Sequence, residues 1–321
     1  MLLISGARLR ELVPVEAAID AVRRAYVDSS RGRIEQPVRL AVGEGDGLAM
    51  LGRESGTADT VLKAITVRRG NPAAGLPAVQ AVVLWFDGET GVPRALIEGT
   101  TLTALRTGAA SGVATDLLAR PDAAVLAVFG AGGQAADQVR SVCAVRPIRE
   151  VRLVDVVFER AARRAEELAA SLPAVRIRAV PDSAAALDGA DVVCTVTTST
   201  EPLFGVDQLA PEVHVNAIGA YTPAMCELPS DLFGEATLVA VDRRDAAMAE
   251  AGDLIRAMRT APSLESRLVE IGELLAGGRP IERSGRTVFK SVGIAAQDFA
   301  VARLAVERAT ALQTGTPDWQ P

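Results

Sequence analysis

Three features of the 321-residue sequence predict an α/β fold in two parts. The length exceeds what one compact core usually holds. Residues 38–98 read as short β-branched runs broken by Gly, Asn, Asp and Pro, the texture of antiparallel strands. From about residue 123, strands and helices alternate, which predicts a parallel sheet with helices on both faces.

Residues 14–28 (PVEAAIDAVRRAYVD) have helical apolar spacing, with Pro14 near the first turn. Strands follow at 38–42, 48–51, 60–67, 78–86 and 93–98, and Asp87-Gly88-Glu89-Thr90-Gly91 reads as a hairpin turn. An alanine-rich helix at 100–120 stops before Pro121. Further strands are expected at 124–129, 150–155, 175–180, 191–197, 214–219 and 237–242, with helices after the first two. The tail 287–312 opens as a strand and ends as a long amphipathic helix that returns to the first part. This places one domain at 1–120 plus 290–321 and the other at 121–289.

Composition narrows the chemistry. A net charge of −6 gives no overall attraction to nucleic acid or anionic membrane. Cys143, Cys194 and Cys226 are widely spaced without a CxxC pair, so a reducing, cytoplasmic setting is expected, with no disulfide framework. No apolar run reaches the length of a membrane span, and no signal peptide is expected. The single histidine, His214, excludes a multi-histidine metal site, and no metal is expected. His214 lies in a strand-like run and reads as structural.

Gly130-Ala131-Gly132-Gly133-Gln134-Ala135 follows a buried strand, opens a helix and fits G-x-G-x-x-A. Gly130 permits the tight turn, Gly132 lets the backbone approach a pyrophosphate, and Ala135 allows close helix–strand packing. The helix N-terminus offers unpaired N–H groups to phosphates. Asp155 ends the next strand, where a carboxylate binds ribose hydroxyls and repels a 2′-phosphate. The second domain is therefore read as a Rossmann domain binding NAD in preference to NADP. Arg160, the nearest cation, is expected to face solvent. Thr197, Thr198 and Ser199 end a strand of this domain and either approach the cofactor or form a turn.

With these pieces placed, residues 17–308 resemble the ornithine cyclodeaminase/mu-crystallin family. The stretches that carry the resemblance are Gly70-Asn71-Pro72 to Gly75-Leu76-Pro77-Ala78, the run Glu98-Gly99-Thr100-Thr101-Leu102-Thr103-Ala104-Leu105-Arg106-Thr107, the Gly130 loop, and Val288-Phe289-Lys290-Ser291-Val292-Gly293. The resemblance implies hydride exchange between nicotinamide and the α-carbon of a small amino or imino acid. It also implies an α+β substrate-binding domain and a homodimer formed through the sheet of that domain. Arg39, Lys63 and Arg106 match the family's carboxylate-binding arginine, catalytic lysine and second arginine. On sequence alone each could equally face solvent. A lysine desolvated beside arginines would have a lowered pKa and could exchange a proton with the substrate nitrogen. Thr107 either touches a cofactor phosphate from the first-domain helix or is a mid-helix threonine, and Lys290 and Ser291 are assigned to the cofactor site by the resemblance only. Glu98 reads as a helix-terminal acid.

The sequence departs from the family's cyclodeaminases at one place. There, the segment after the Asn-Ala-x-Gly strand carries an aspartate that handles substrate amines. Here Tyr221 stands in that place and either donates a hydrogen bond or lines the pocket. The expected activity is accordingly that of an NAD-dependent amino acid dehydrogenase or imine reductase. An ornithine cyclodeaminase and a non-catalytic nucleotide-binding protein of mu-crystallin type are the competing readings.

Overall fold

The computed structural model describes residues 1–43, 46–277, 281 and 283–312. The chain divides into two units: Met1–Ala109 with the segment from Ile294 onward, and Ala110–Gly293. Both boundaries differ from the expected 120/121 and 289/290. The C-terminal half of helix Gly99–Leu118 is tied into the second unit, where Thr115 Oγ1 accepts from Asn216 Nδ2 at 2.9 Å and Asp116 pairs with Arg146 at 2.9 Å. Residues 291–293 stay with the second unit because Asp242 accepts from Ser291 Oγ (2.9 Å) and from the N–H groups of Val292 (2.9 Å) and Gly293 (2.7 Å). Residues 313–321, assigned to the first domain from sequence, lie outside the described residues.

In the first unit the strands run Leu2–Ile4, Pro93–Glu98, Val79–Phe86, Thr60–Val67, Gly47–Glu54 and Ile34–Glu35, with Leu40–Val42 also on Gly47–Glu54. All pairings are antiparallel except that of Leu2–Ile4 with Pro93–Glu98. That three-residue strand was not expected, being too short to show a period. The expected hairpin at 87–91 is present, closed by Gly91 N–H to Asp87 O at 2.9 Å. Alternation sorts side chains to two faces. In Thr60–Val67, Val61, Lys63, Ile65 and Val67 are buried, whereas Ala64 and Thr66 are exposed. Helix Ala295–Ala311 packs against helix Val15–Ser30 and the strands Gly47–Glu54, Thr60–Val67 and Val79–Phe86. Trp85 stacks on Phe299 there, with ring centroids 4.9 Å apart. Glu98 accepts from the N–H groups of Thr100 (2.7 Å) and Thr101 (2.8 Å), so it serves the start of helix Gly99–Leu118 as expected.

The second unit holds an eight-stranded parallel sheet among the described residues. Its order is Arg176–Ala179, Glu150–Val154, Val125–Phe129, Val192–Thr195, His214–Ala217, Thr287–Lys290, Leu238–Val241 and Leu268–Glu270. Val192–Thr195 and His214–Ala217 are buried at every residue, as strands covered on both faces must be. From Val125–Phe129 the chain first builds outward to Arg176–Ala179, then returns to add Val192–Thr195 on the other side. The order reverses between those two strands, and the ends of such strands are where open α/β sheets bind ligands. His214 is buried, with Nδ1 2.9 Å from Thr287 Oγ1 and Nε2 3.1 Å from Asn216 Oδ1. Burial pushes its pKa down to about 4, so it is a neutral structural residue at physiological pH. No helix among the described residues is long and apolar enough to cross a membrane.

Candidate active site

In the first unit the fold brings two of the expected cations, Lys63 and Arg106, onto one carboxylate. Lys63 points from the buried face of its strand and is 0% exposed. Its Nζ donates to Asp298 Oδ1 at 2.6 Å. Arg106 Nε lies 3.2 Å from the same oxygen, and its NH1 donates to Gln297 Oε1 at 2.6 Å. Gln297 Nε2 in turn donates to Tyr26 Oη at 2.5 Å. Arg39, half-buried, acts electrostatically on Lys63. Burial lowers the pKa of Lys63 most, Arg106 and Arg39 lower it further, and Asp298 opposes them. The result is a pKa of about 7, against 10.5 for an ordinary lysine. A lysine poised there can give or take a proton at neutral pH.

Gln297 and Asp298 were not found from the sequence. They lie in the first turn of helix Ala295–Ala311, where an acid is commonly a helix-terminal residue, so their type and position carry no separate signal. Arg53 and Arg68 stay on the surface, Arg53 pairing with Glu35 at 3.1 Å.

In the second unit the glycine loop has the shape a pyrophosphate needs. Gly130 sits at φ +95°, and an added Cβ would lie 2.8 Å from Val196 O, so only glycine fits. At Gly132 and Gly133 an added Cβ would meet no protein atom within 4 Å, which leaves the loop open to a ligand. Ala131 and Ala135 are buried in the apolar cluster of this unit. Gln134 precedes helix Ala135–Val145 without a side-chain cap, so the helix N–H groups are not claimed by a capping side chain. These residues fit a dinucleotide. Asp155 accepts from Ala131 N–H at 2.8 Å and from Val157 N–H at 2.9 Å. Arg160 is exposed, as expected, and also lies 3.3 Å from Asp155 Oδ1 near the start of helix Phe158–Ser171.

At the ends of Val192–Thr195 and His214–Ala217, the fully buried Glu227 collects four donors. They are Thr195 Oγ1 (2.9 Å), Thr197 N–H (2.6 Å), Gly219 N–H (2.8 Å) and Ala220 N–H (3.1 Å). Burial raises its pKa, with Lys290 opposing. Glu227 thus orders the loops that carry Thr197 and Tyr221; nothing in its sequence context marks it. Thr198 is exposed, and Ser199 closes a turn by donating to Glu201 O at 2.6 Å. Tyr221 is half-buried in the loop after His214–Ala217. Thr107 is 6% exposed within its helix.

Two expected cofactor residues have other uses in this structure. Lys290 is 0% exposed and forms an ion pair with Asp253 at 2.9 Å. Ser291, 2% exposed, donates to Asp242. An ammonium buried this deeply needs a counter-charge, and Asp253 supplies it. Lys290 is enclosed because its strand Thr287–Lys290 runs between two others, and Ser291 follows directly after it.

The model of the ornithine cyclodeaminase/mu-crystallin family matches residues 2–313. The chain belongs to this family. A relative within it is a Delta(1)-pyrroline-2-carboxylate reductase of Bacillus cereus, 35% identical over 96% of this chain and 97% of that protein. A solved Delta(1)-pyrroline-2-carboxylate reductase of Thermococcus litoralis, in complex with NADH and L-proline, has a TM-score of 0.93 at 33% identity, covering 98% of this chain and 99% of that one. An archaeal alanine dehydrogenase dimer with bound NAD has a TM-score of 0.87 at 30% identity, covering 98% of each chain. These matches cover 96–98% of the chain, and the expectation of a Rossmann domain plus an α+β domain holds.

Proposed function

We propose that this chain is an NAD-dependent oxidoreductase that reduces a small α-imino acid to the amino acid. The observation that carries the reading is the buried pair Lys63 and Arg106 on a single carboxylate, with the half-buried Arg39 acting electrostatically on Lys63. Lys63 and Arg106 share one oxygen of that carboxylate, and an α-carboxylate substrate would complement these two cations. The glycine loop and Asp155 would hold the dinucleotide, and bound NADH supplies the hydride. Arg39 and Arg106 orient the substrate carboxylate. Lys63 donates a proton to the imine nitrogen, which makes the α-carbon more electrophilic. Tyr221 in place of a carboxylate disfavours substrates with a second ammonium group. The relatives named as reductases of a cyclic imino acid support the same assignment.

The test is a substrate panel with NADH and NADPH: Δ1-pyrroline-2-carboxylate, pyruvate with ammonia, iminosuccinate generated in situ, and ornithine. Imino-acid reduction with a higher kcat/KM for NADH is the expected result. Proline formation from ornithine without net NADH would assign a cyclodeaminase instead, and turnover of none of the panel would defeat the reading.

The reading includes a homodimer built on the first unit, in a cytoplasmic setting that suits three free cysteines. The sheet face opposite Lys63 supports it: Val82 is 45% exposed and Leu51 45% exposed, with Leu62 and Leu84 in cross-strand register beside Leu51. Apolar residues aligned across neighbouring strands are what an isologous interface uses. Val82→Asp is expected to convert dimer to monomer in light scattering, and an unchanged mass would remove this face as the interface.

A further inference from the structure

The chain has two lysines among 34 Lys and Arg residues, and both are fully buried beside an aspartate. The two pairs are built differently. Asp253, the partner of Lys290, also accepts the N–H groups of Glu227 and Leu228, so it serves the backbone as well as the lysine. Asp298 accepts no backbone N–H among the described residues. Its Oδ1 takes Lys63 at 2.6 Å and Arg106 at 3.2 Å, and its Oδ2 accepts no protein hydrogen bond. A buried carboxylate that serves only stability is usually saturated with donors. Asp298 instead devotes its one bonded oxygen to the two cations of the candidate site.

We propose that Asp298 is the positioning residue for Lys63: its Oδ1, 2.6 Å from Nζ and 3.2 Å from Arg106 Nε, holds Nζ in place beside Arg106 for proton transfer to the imine. This rests on the imine-reductase reading above. The charged groups facing Lys63 are Arg39, Arg106 and Asp298. Its cross-strand neighbours, Met50 and Val83, carry no charge. Among the described residues, Asp298 is therefore the one anion holding the proton against burial and two guanidinium groups. In the step itself, an Nζ–H bond breaks as the N–H bond of the iminium forms. Bound NADH would supply the hydride that completes the reduction at the α-carbon, and water reprotonates the Lys63 amine. Asp298 gains and loses no proton.

Because there are only two lysines, protein labelled with ¹³C at the lysine ε-carbon gives two signals, and Lys63→Arg assigns them. The Lys63 midpoint is followed by NMR in the unmodified chain and in Asp298→Asn, with Asp298→Ser as a second uncharged variant should the first not fold. Removing the carboxylate is expected to lower the midpoint by about one pH unit or more, a tenfold change in the proton equilibrium. The alkaline limb of kcat/KM for imine reduction moves acidward by the same amount, while KM for the imino acid does not rise. A folded variant with an unmoved midpoint, or one slower at every pH with an unmoved limb, would overturn the proposal. The titration reads Asp298 independently of turnover, so an inactive chain would defeat the functional reading without deciding this one.

Discussion

Lys63→Met is expected to lower kcat/KM for imino-acid reduction by about 10³-fold, within the range that a positioned proton donor contributes. Methionine fills similar space but can neither protonate the imine nor pair with a carboxylate. NADH affinity, read by fluorescence titration, is expected to stay within about threefold, since the glycine loop lies in the other unit. The fold survives because Asp298 keeps Arg106 as a partner. The pH dependence has a definite sign. Lys63 has a pKa of about 7 in the free protein, so its ammonium form prevails below that value and is lost as pH rises through it. Reductive kcat/KM should therefore fall on the alkaline side. The limb in kcat should lie at higher pH, because a bound carboxylate adds negative charge beside the lysine. In Lys63→Met both limbs disappear. A variant with near-normal rate would remove Lys63 from the chemistry.

Lys290→Met is expected to lower the free energy of unfolding by about 3–5 kcal/mol, the usual penalty for stranding one member of a buried ion pair. Asp253 sits fully buried beside Lys290 and two backbone donors. Burial raises its pKa, but Lys290 and the backbone donors prevail and hold it below the usual carboxylate value. Without the ammonium, the carboxylate must take up a proton or remain an unpaired charge, and the loop it anchors at Glu227 loosens. Urea unfolding gives the loss directly, and adding Asp253→Asn should recover part of it. NADH affinity of the folded variant separates the two roles proposed for this residue. A small change in stability with a large loss of NADH binding would return Lys290 to the cofactor site.

Much of the fold was legible because its signals are local. Thr60–Val67 and Pro93–Glu98 end where the sequence places them, since each short apolar run is bounded by Gly, Asp or Asn turn residues close by. The glycine loop was legible because Gly130 answers a backbone demand that only its own φ sets. The short strand Leu2–Ile4 and the short helices Ser230–Glu235 and Arg244–Glu250 were not, because three to seven residues span too little of a period to show one. The domain boundaries were misplaced for a related reason. A helix break at Pro121 is visible in the sequence, whereas the side-chain bonds of Thr115 and Asp116 are not.

The sequence by itself determined that this chain is a two-part α/β protein with a dinucleotide loop, an acid after it and three cations in apolar surroundings. Each of these follows from local periodicity, backbone conformation or residue type. Only the tertiary structure decided what those charges face. Lys63 meets Asp298 from 235 positions away, and Lys290 turns to Asp253. The physical reason is that strand alternation sets which face a side chain takes but not what packs across it. The partner of a buried charge comes from another element, and in a low-dielectric interior that partner decides whether a lysine is held for structure or poised for proton transfer.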